Sequence, residues 1–529
     1  MKVRLLFCSV AMILCYYILI MHMSTIVLDS DTYSAISDEQ YYYTVEVGSV
    51  YGTIYDAEYS QMVNTENSIM AVVYPTQEAT KELKPYVLNV EEYSKKLSTG
   101  RPFAIEVSKA DYDSKDIITF NVPKRYSNSQ IAQHIIGYSS DGVGVCGLER
   151  SYSDFLHSAN TTYTVKYAQD GYGNIIHSVE PIVSYNGMVS SGVVTTLDSH
   201  IQKICEDAMQ GVEKGACIVA DVNSGQIKAM VSVPTYDVLD LESSLNSPDM
   251  PFINRALSSY SCGSIFKLVT TGVALECGIS ESFNYCCNGS LNVCGQCFNC
   301  HKLDGHGVQD MRTAIKNSCN TYFIELSQLL DNYTILDYCK KLGFGRQTIF
   351  TKDIASDSGY LPTVQQLRVP AEKGNFSFGQ GLLTVTPVQI ASLTCAIAND
   401  GNMPILYLVN GLTDDGSSLH DVNYNRYTKV FSWQTAKKLQ SYMRSSVQDN
   451  CNSLGIPCNT TASGKTSTAQ TGIFNADGTE VCQAWITGYF PCENPKYSVT
   501  VLVENGEYGN TTSAPIFKQI IETITACGL

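Results

Sequence analysis

A serine and a lysine stand three residues apart in the segment SCGSIFKLVTT, residues 261–271. If this segment is helical, Ser264 and Lys267 share one face, because residues i and i+3 are neighbours on a helix. A serine hydroxyl is a poor nucleophile until a neighbouring base takes its proton. A lysine can be that base when apolar surroundings and a second cation reduce its proton affinity. Taken alone, the pair also fits a capping serine and a surface lysine on an amphipathic helix.

Two later segments add residues with matching chemistry. NSCN supplies Ser318 and Asn320 at a predicted helix break, 54 residues after Ser264. SGKTSTAQ supplies Lys465 and Thr466 at the start of a predicted strand. We expect Ser318 to relay a proton to a leaving amine and Asn320 to hold Lys267 and a substrate amide. Lys465 is then the second cation that lowers the proton affinity of the base.

The strand that begins at Lys465 is predicted to bind the substrate. A strand at Thr466–Thr468 can pair with an extended peptide by β-augmentation. The backbone N–H groups of Ser264 and Thr468 would then form an oxyanion hole for the attacked carbonyl. These residues predict acyl transfer through a serine ester.

The order S-x-x-K, S-x-N, K-T-[GS] is the signature of penicillin-binding proteins and serine β-lactamases. Over nearly its whole length the chain resembles a class B penicillin-binding protein, a membrane-anchored peptidoglycan D,D-transpeptidase. The resemblance rests on segments of the catalytic part and of the upstream part: GACIVADVNSGQIKAMVSVPTYD, NRALSSYSCGSIFK, SFGQGLLTVTPVQIASLTCAIANDG, AWITGYFP, NPKYSVTVLVENG, YGTIYDAEYSQMV, HIIGYSSDGVGVCGLERSYSDFL and TTLDSHIQ. No glycosyltransferase motif is visible, which argues against class A.

Three positions depart from the family pattern. Ser467 replaces the usual glycine of K-T-G, and its Cβ is expected to crowd the substrate-facing strand slightly. Cys262 replaces the proline that normally precedes the glycine and serine of the catalytic turn. In YGTIYDAEY the upstream motif has lost charged residues of the family pattern. The reaction that the resemblance implies needs no cofactor and no metal.

The order of predicted elements indicates an α+β fold. A hairpin signal at Asn223-Ser224-Gly225 separates two β-rich runs, helices fill the middle of the chain, and strands return near its end. We therefore expect an antiparallel sheet whose first and last strands are neighbours, covered by helices. The resemblance implies that this is the fold of penicillin-binding proteins and serine β-lactamases. It also implies that an extended mixed α/β pedestal domain precedes the catalytic domain.

The N-terminus predicts a membrane anchor and an exported protein. About 19 residues without a formal charge follow Arg4, close to the length that spans a bilayer. Lys2 and Arg4 precede this run while Asp29 and Asp31 follow it, so the positive-inside rule exports the rest of the chain. A cleaved signal peptide is the alternative. The predicted divisions are a cytoplasmic stub (1–4), a transmembrane helix (5–23), a non-catalytic pedestal (24–200) and a transpeptidase domain (201–529).

Composition limits the partners. The 529 residues carry a formal charge of −16, which argues against binding to nucleic acid or to anionic lipid. The resemblance implies peptidoglycan stem peptides as substrates, β-lactams as inhibitors and a membrane-embedded SEDS-family glycan polymerase as partner. It places the chain in the bacterial cytoplasmic membrane with its catalytic domain on the wall side.

Other functions remain compatible with the same motifs. A D,D-carboxypeptidase or a β-lactamase shares all three, although the predicted anchor and long pedestal favour a transpeptidase. A non-catalytic scaffold or β-lactam sensor is the alternative from another class. The intact serine and lysine positions argue against a scaffold, and the short predicted stub leaves no room for a sensor's output domain.

A cluster of cysteines lies between the first two motifs. YCCNGSLNVCGQCFNCHKLDGHG holds seven candidate ligands: Cys286, Cys287, Cys294, Cys297, Cys300, His301 and His306. The C-x₂-C spacings followed by histidine are compatible with zinc. Relatives of the family often carry a cysteine near each end of this segment. The resemblance therefore favours a disulfide that joins Cys286 or Cys287 to Cys297 or Cys300.

Overall fold

The computed structural model describes six stretches of the chain: residues 2–28, 41–140, 142–185, 189–422, 426–475 and 478–529. Asp29 and Asp31, which entered the topology argument, lie outside these stretches. The chain forms two compact units from interleaved segments. The first comprises residues 1–51, 64–125 and 160–189, and the second comprises 52–63, 126–159 and 190–529.

The N-terminal helix runs over Lys2–Leu28. Its stretch Leu6–Thr25 has a mean hydropathy of 2.1 and is long and apolar enough to cross a membrane. The predicted span, residues 5–23, lies within this helix. Its apolar side chains pack against nothing in the described structure, as expected for a helix whose solvent is lipid.

The first unit is built from antiparallel strands. In Tyr42–Tyr51, Val45 and Val47 are buried and their neighbours are more exposed, as the two-residue period of a strand requires. Its two three-stranded sheets are, in spatial order, Tyr42–Tyr51, Asn160–Ala168, Ile182–Ser184, and Phe103–Val107, Glu66–Val73, Ile117–Lys124. Beyond the N-terminal helix, its described residues form the α-helices Gln77–Leu83 and Val90–Leu97 and the 3₁₀ helix Lys84–Tyr86.

A five-stranded antiparallel sheet forms the centre of the second unit. We number its strands β1 (Gly215–Asp221), β2 (Ile227–Val233), β3 (Ser463–Phe474), β4 (Glu480–Phe490) and β5 (Tyr497–Val503). Their spatial order is β2-β1-β5-β4-β3, so β3 is an edge strand. Strand β1 pairs with β5 along its whole length, which confirms the prediction that the first and last strands are neighbours.

Helices cover both faces of this sheet, which is why the central strands β1 and β5 are buried along nearly their whole length. Cys217 and Val219 of β1 pack into the cluster that contains the C-terminal helix Ala514–Ala526. Ile218, between them, packs into the cluster that contains the helix Pro387–Ala398. Alternate residues of one strand thus enter two different cores, and the predicted α+β fold is confirmed.

The remaining elements of the second unit surround this sheet. Its helices are Gln133–Ile136, Gly147–Ser151, Ser153–Ser158, Ser199–Ala208, Leu241–Leu245, Lys267–Glu276, Met311–Lys316, Asn320–Gln328, Asn332–Lys341, Pro370–Ser377, Pro387–Ala398, Trp433–Gln448, Cys451–Leu454 and Ala514–Ala526. Its short strands are Thr53–Tyr55, Ser139–Ser140, Val143–Gly144, Gly192–Thr195, Tyr285–Cys287, Ser290–Val293, Gln296–Asn299, Gly307–Gln309, Asn402–Pro404, Val409–Thr413 and Tyr427–Lys429.

Candidate active site

Ser264 and Lys267 lie on one turn of helix, as their spacing predicts. A 3₁₀ turn over Gly263–Phe266 leads directly into the α-helix that begins at Lys267. The Lys267 Nζ atom lies 3.0 Å from the Ser264 Oγ atom. Lys267 is fully buried, and the rings of Phe323 and Phe378 lie 5.6 and 5.9 Å from its Nζ atom.

Ser318 adopts a backbone conformation that aims two of its oxygens at Lys267. It lies between the helices Met311–Lys316 and Asn320–Gln328, with φ at +50°, which costs a non-glycine residue free energy. Lys267 Nζ donates to the Ser318 carbonyl at 2.7 Å and contacts its Oγ at 3.0 Å. The Ser318 Oγ donates to the Ser264 Oγ at 2.8 Å, and the Asn320 Oδ1 accepts from Lys267 at 2.7 Å.

Lys465 reaches the same cluster from β3. Its Nζ atom lies 3.4 Å from the Ser318 Oγ and donates to the Thr466 carbonyl at 2.8 Å. Burial lowers the pKa of Lys465 to about 8. Burial and, next, the charge of Lys465 hold the pKa of Lys267 well below its usual range. The structure therefore brings together the five predicted catalytic residues, Ser264, Lys267, Ser318, Asn320 and Lys465. The lowered pKa of Lys267 favours its neutral form beside the Lys465 cation.

The three residues after Lys465 do not all face the substrate groove. Thr466 and Thr468 are half-exposed, and the Thr468 Oγ1 accepts from the Gly509 N–H at 3.1 Å. The Ser467 side chain is 4% exposed and turns behind the strand, where its Oγ has no hydrogen-bond partner. The Ser467 Cβ was expected to crowd the strand slightly, although a small residue should be tolerated there; the two-residue period of β3 points this Cβ inward, away from the groove.

An open groove of about 1540 Å³ runs past these residues. Basic and acidic side chains both lie along it: His301, Lys302 and Lys316 on one hand, Glu480 and Glu507 on the other. The groove is therefore large and polar enough for extended peptides rather than for a small apolar ligand. Ser264, Ser318 and Thr468 all face it.

The structure does not form the predicted disulfide between Cys286 or Cys287 and Cys297 or Cys300. All four candidate cysteines are free thiols, and they lie on two separate short hairpins. Cys286 and Cys297 are exposed, whereas Cys287 and Cys300 point inward. A disulfide that sequence reasoning missed joins Cys451 to Cys458. The signal available for it was two cysteines seven residues apart beside the groove strand.

The inward thiols belong to a group that could hold a metal. Cys287, Cys300, His306 and Cys319 place one ligand atom each within 4.8 Å of one another. The His306 Nδ1 lies 3.6 and 3.5 Å from the Sγ atoms of Cys287 and Cys300, and the Cys300 and Cys319 Sγ atoms are 4.0 Å apart. Three thiols and one imidazole are a donor set for tetrahedral zinc.

The chemistry of these four residues fits such an ion. The hydrogen bond between the two thiols lowers the pKa of Cys300, which favours its thiolate, and this bond together with burial raises the pKa of Cys319, so that without an ion one proton is shared by the pair. Burial lowers the pKa of His306, which favours the neutral imidazole that binds metals. The sequence named Cys287, Cys300 and His306 as candidate ligands but missed Cys319, which stands inside S-x-N, between Ser318 and Asn320.

Comparison with known proteins agrees with the geometry. The family described as Penicillin binding protein transpeptidase domain matches residues 215–522. The peptidoglycan D,D-transpeptidase PbpA of Mycobacterium tuberculosis is 31% identical over 76% of this chain and 84% of its own. The stage V sporulation protein D of Bacillus subtilis is 28% identical, and the match covers 75% of this chain and 63% of that protein.

Solved structures show the same fold. A chain in a structure entitled "Structural coordination of polymerization and crosslinking by a peptidoglycan synthase complex" superimposes with a TM-score of 0.73, at 21% identity, and 97% of each chain is covered. Penicillin-binding protein A of M. tuberculosis, solved as a ceftriaxone acyl-enzyme complex, gives 0.64 at 24% identity, over 79% of this chain and 95% of its own. The chain belongs to the penicillin-binding protein transpeptidase family and, within it, to the class B peptidoglycan D,D-transpeptidases.

Proposed function

We propose that Ser264 carries the acyl group in peptidoglycan cross-linking by this D,D-transpeptidase. The observation that carries the proposal is that the Ser264 Oγ contacts both Lys267 Nζ, at 3.0 Å, and Ser318 Oγ, at 2.8 Å. The Ser264 Oγ attacks the carbonyl between the two D-alanines of a stem peptide. A C–O bond forms, the C–N bond breaks, and D-alanine leaves.

Lys267 is the general base of this step. Four oxygens surround its Nζ atom, and two of them are the hydroxyls of Ser264 and Ser318, which can donate as well as accept. A neutral amine fits this arrangement, because it donates to the two acceptors at 2.7 Å, the Ser318 carbonyl and the Asn320 Oδ1. Its lone pair is then free to accept the Ser264 proton.

Ser318 and Lys465 serve the leaving group and the substrate carboxylate. The Ser318 Oγ touches the nucleophile, the base and Lys465, so it can pass the proton from Lys267 to the departing amine. Lys465 carries positive charge beside the groove and pairs with the terminal carboxylate of the stem. Its field also keeps Lys267 neutral.

Strand β3 presents the donor peptide to Ser264. As an edge strand it has backbone groups to share with an extended chain. The N–H groups of Ser264 and Thr468 stabilise the oxyanion. An amine of a second stem then attacks the ester carbonyl, the C–O bond to Ser264 breaks, and a cross-link forms. Because the groove, at about 1540 Å³, has room for a second peptide, we favour transfer to an amine over hydrolysis.

The N-terminal helix anchors the chain in the cytoplasmic membrane, and the second unit acts on the wall side. The residues that precede the transpeptidase domain form the pedestal. A SEDS-family glycan polymerase supplies the strands, since class B proteins make none. The anchor and the pedestal carry that contact. Replacement of residues 2–28 by an unrelated membrane helix should weaken co-purification of the polymerase while penicillin still acylates Ser264.

The nucleophile is tested by labelling with fluorescent penicillin. Ser264→Ala should abolish the covalent adduct and keep the thermal unfolding midpoint, whereas Ser258→Ala, on the preceding loop, should label normally. A penicilloyl adduct on the Ser264→Ala protein would contradict the assignment of Ser264 as the nucleophile. Release of D-alanine with and without an amine acceptor separates transpeptidation from the carboxypeptidase alternative, which needs no acceptor.

A further inference from the structure

The side chain of Gln380 pairs with the open edge of β3. With the amide oriented so that both of its groups are satisfied, its nitrogen donates to the Gln470 carbonyl at 3.2 Å and its oxygen accepts from the Gln470 N–H at 2.9 Å. A single side chain therefore bonds to β3 as one residue of a neighbouring strand would. Gln380 is half-buried and lines the groove.

The Gln380 amide lies in line with the Thr468 N–H. Along a strand, the backbone N–H and C=O of one residue point to the same edge, and this direction alternates from residue to residue. Strand β3 pairs regularly with β4 from Ser463 to Gln470. Because Gln470 points its backbone groups to the open edge, Thr468 points its own there too. Gln380 thus fills the pairing position next to the oxyanion hole.

The residue before Gln380 is tied to the catalytic turn. The Gly263 N–H donates to the Gly379 carbonyl at 2.9 Å. Gly379 has φ at +80°, and a Cβ on it would lie 2.1 Å from the Gly263 carbonyl oxygen, so the two backbones touch. Gly379 therefore holds the turn that carries Ser264, and the adjacent Gln380 holds β3.

We propose that Gln380 is a positioning residue that fixes the spacing between the two N–H donors of the oxyanion hole. One donor belongs to Ser264, beside Gly263, and the other belongs to Thr468, two residues before Gln470. Gln380 also ends the edge available to the donor peptide, which pairs with Thr466 and Thr468 and leaves β3 before Gln470. This inference rests on the proposed role of Ser264 as nucleophile.

The test uses the full-length protein and stopped-flow acylation by a fluorescent penicillin, which separates the acylation rate constant from the binding constant. Gln380→Met keeps the length of the side chain and removes both hydrogen bonds. Since displacement by about 1 Å costs roughly 100-fold, we expect the rate constant to fall at least about tenfold. Binding and the unfolding midpoint should stay near wild type. Gln365→Met, at an exposed glutamine, is the control.

A second variant and a hydrogen-exchange measurement test the positioning role even if Gln380→Met is unstable. Gln380→Glu retains an acceptor for the Gln470 N–H, so its rate should fall between wild type and Gln380→Met. Hydrogen exchange at the Gln470 amide should accelerate in Gln380→Met. Wild-type rates in both variants would overturn the positioning role. Mass spectrometry of the adduct is a separate readout, because an adduct away from Ser264 contradicts the proposed function instead.

Discussion

Ser467 occupies space that Gly263 leaves open. A Cβ built on Gly263 would lie 2.5 Å from the Ser467 Oγ, and Gly263 has φ at +54°, a conformation that favours glycine. The serine at the usual glycine position of K-T-G is therefore accommodated behind β3, against the turn that carries Ser264. The two positions form one packing unit.

Because Gly263 and Ser467 pack against each other, the effects of substitutions at these two positions should not be additive. Gly263→Ala should slow acylation at least about tenfold and destabilise the fold by about 1–3 kcal/mol, because it adds a clash and backbone strain. Ser467→Gly should change acylation little. The double variant should recover part of the loss, since the clash with Ser467 is gone while the backbone strain and the tight contact with Ala469 remain. Additive effects in acylation kinetics and thermal unfolding would contradict the shared packing.

Substitutions of the two active-site lysines should have different effects on the rate of acylation. Lys267→Ala removes the base and should lower acylation by roughly 10²–10⁴-fold at neutral pH. Lys465→Arg keeps the charge with a different shape and should retain measurable acylation. Lys341→Ala, on an exposed helix face, is the control. Equal and total loss in both active-site variants, measured with fluorescent penicillin, would argue against separate roles.

The pH dependence of acylation should be bell-shaped. The base must be neutral, so the rate rises as pH increases through the lowered pKa of Lys267. Lys465 must be charged, so the rate falls as pH passes its pKa of about 8. In Lys465→Arg the alkaline limb should disappear, because a guanidinium stays protonated in that range. An unchanged limb near pH 8 in that variant would assign it to another group.

Metal content should depend on Cys319 and not on its exposed neighbours. Protein purified without air and with zinc should hold one zinc ion per chain. Removal of the ion by a chelator should lower the unfolding midpoint, because the four ligands tie the hairpins of residues 285–309 to the S-x-N segment. The measurement is elemental analysis with thermal unfolding.

The variants for this prediction are matched thiol-to-hydroxyl changes. Cys319→Ser should lose the ion and also slow acylation, since Ser318 and Asn320 flank the ligand. Cys297→Ser, at an exposed thiol of the same segment, should keep both. Retention of zinc by Cys319→Ser, with loss in Cys297→Ser, would instead favour the C-x₂-C pattern of the sequence.

The amino-acid sequence by itself determined the chemistry and the order of the parts. Local geometry fixes the Ser264–Lys267 contact, because residues three apart on a helix must be neighbours. The two-residue period of strands and the apolar run over residues 6–25 are equally local. The α+β fold and the adjacency of β1 and β5 followed from element order. Motif order then led to the family.

Only the tertiary structure decided which distant groups meet. Lys267 and Ser318 are 51 residues apart, and Ser318 and Lys465 are 147 apart. The left-handed backbone of Ser318, the burial that lowers both lysine pKa values, and the bond from Gln380 to β3 arise from packing between such segments. For the same reason spacing identified only part of the cysteine cluster: Cys319 joins Cys287, Cys300 and His306 through space, and no interval along the chain encodes that approach.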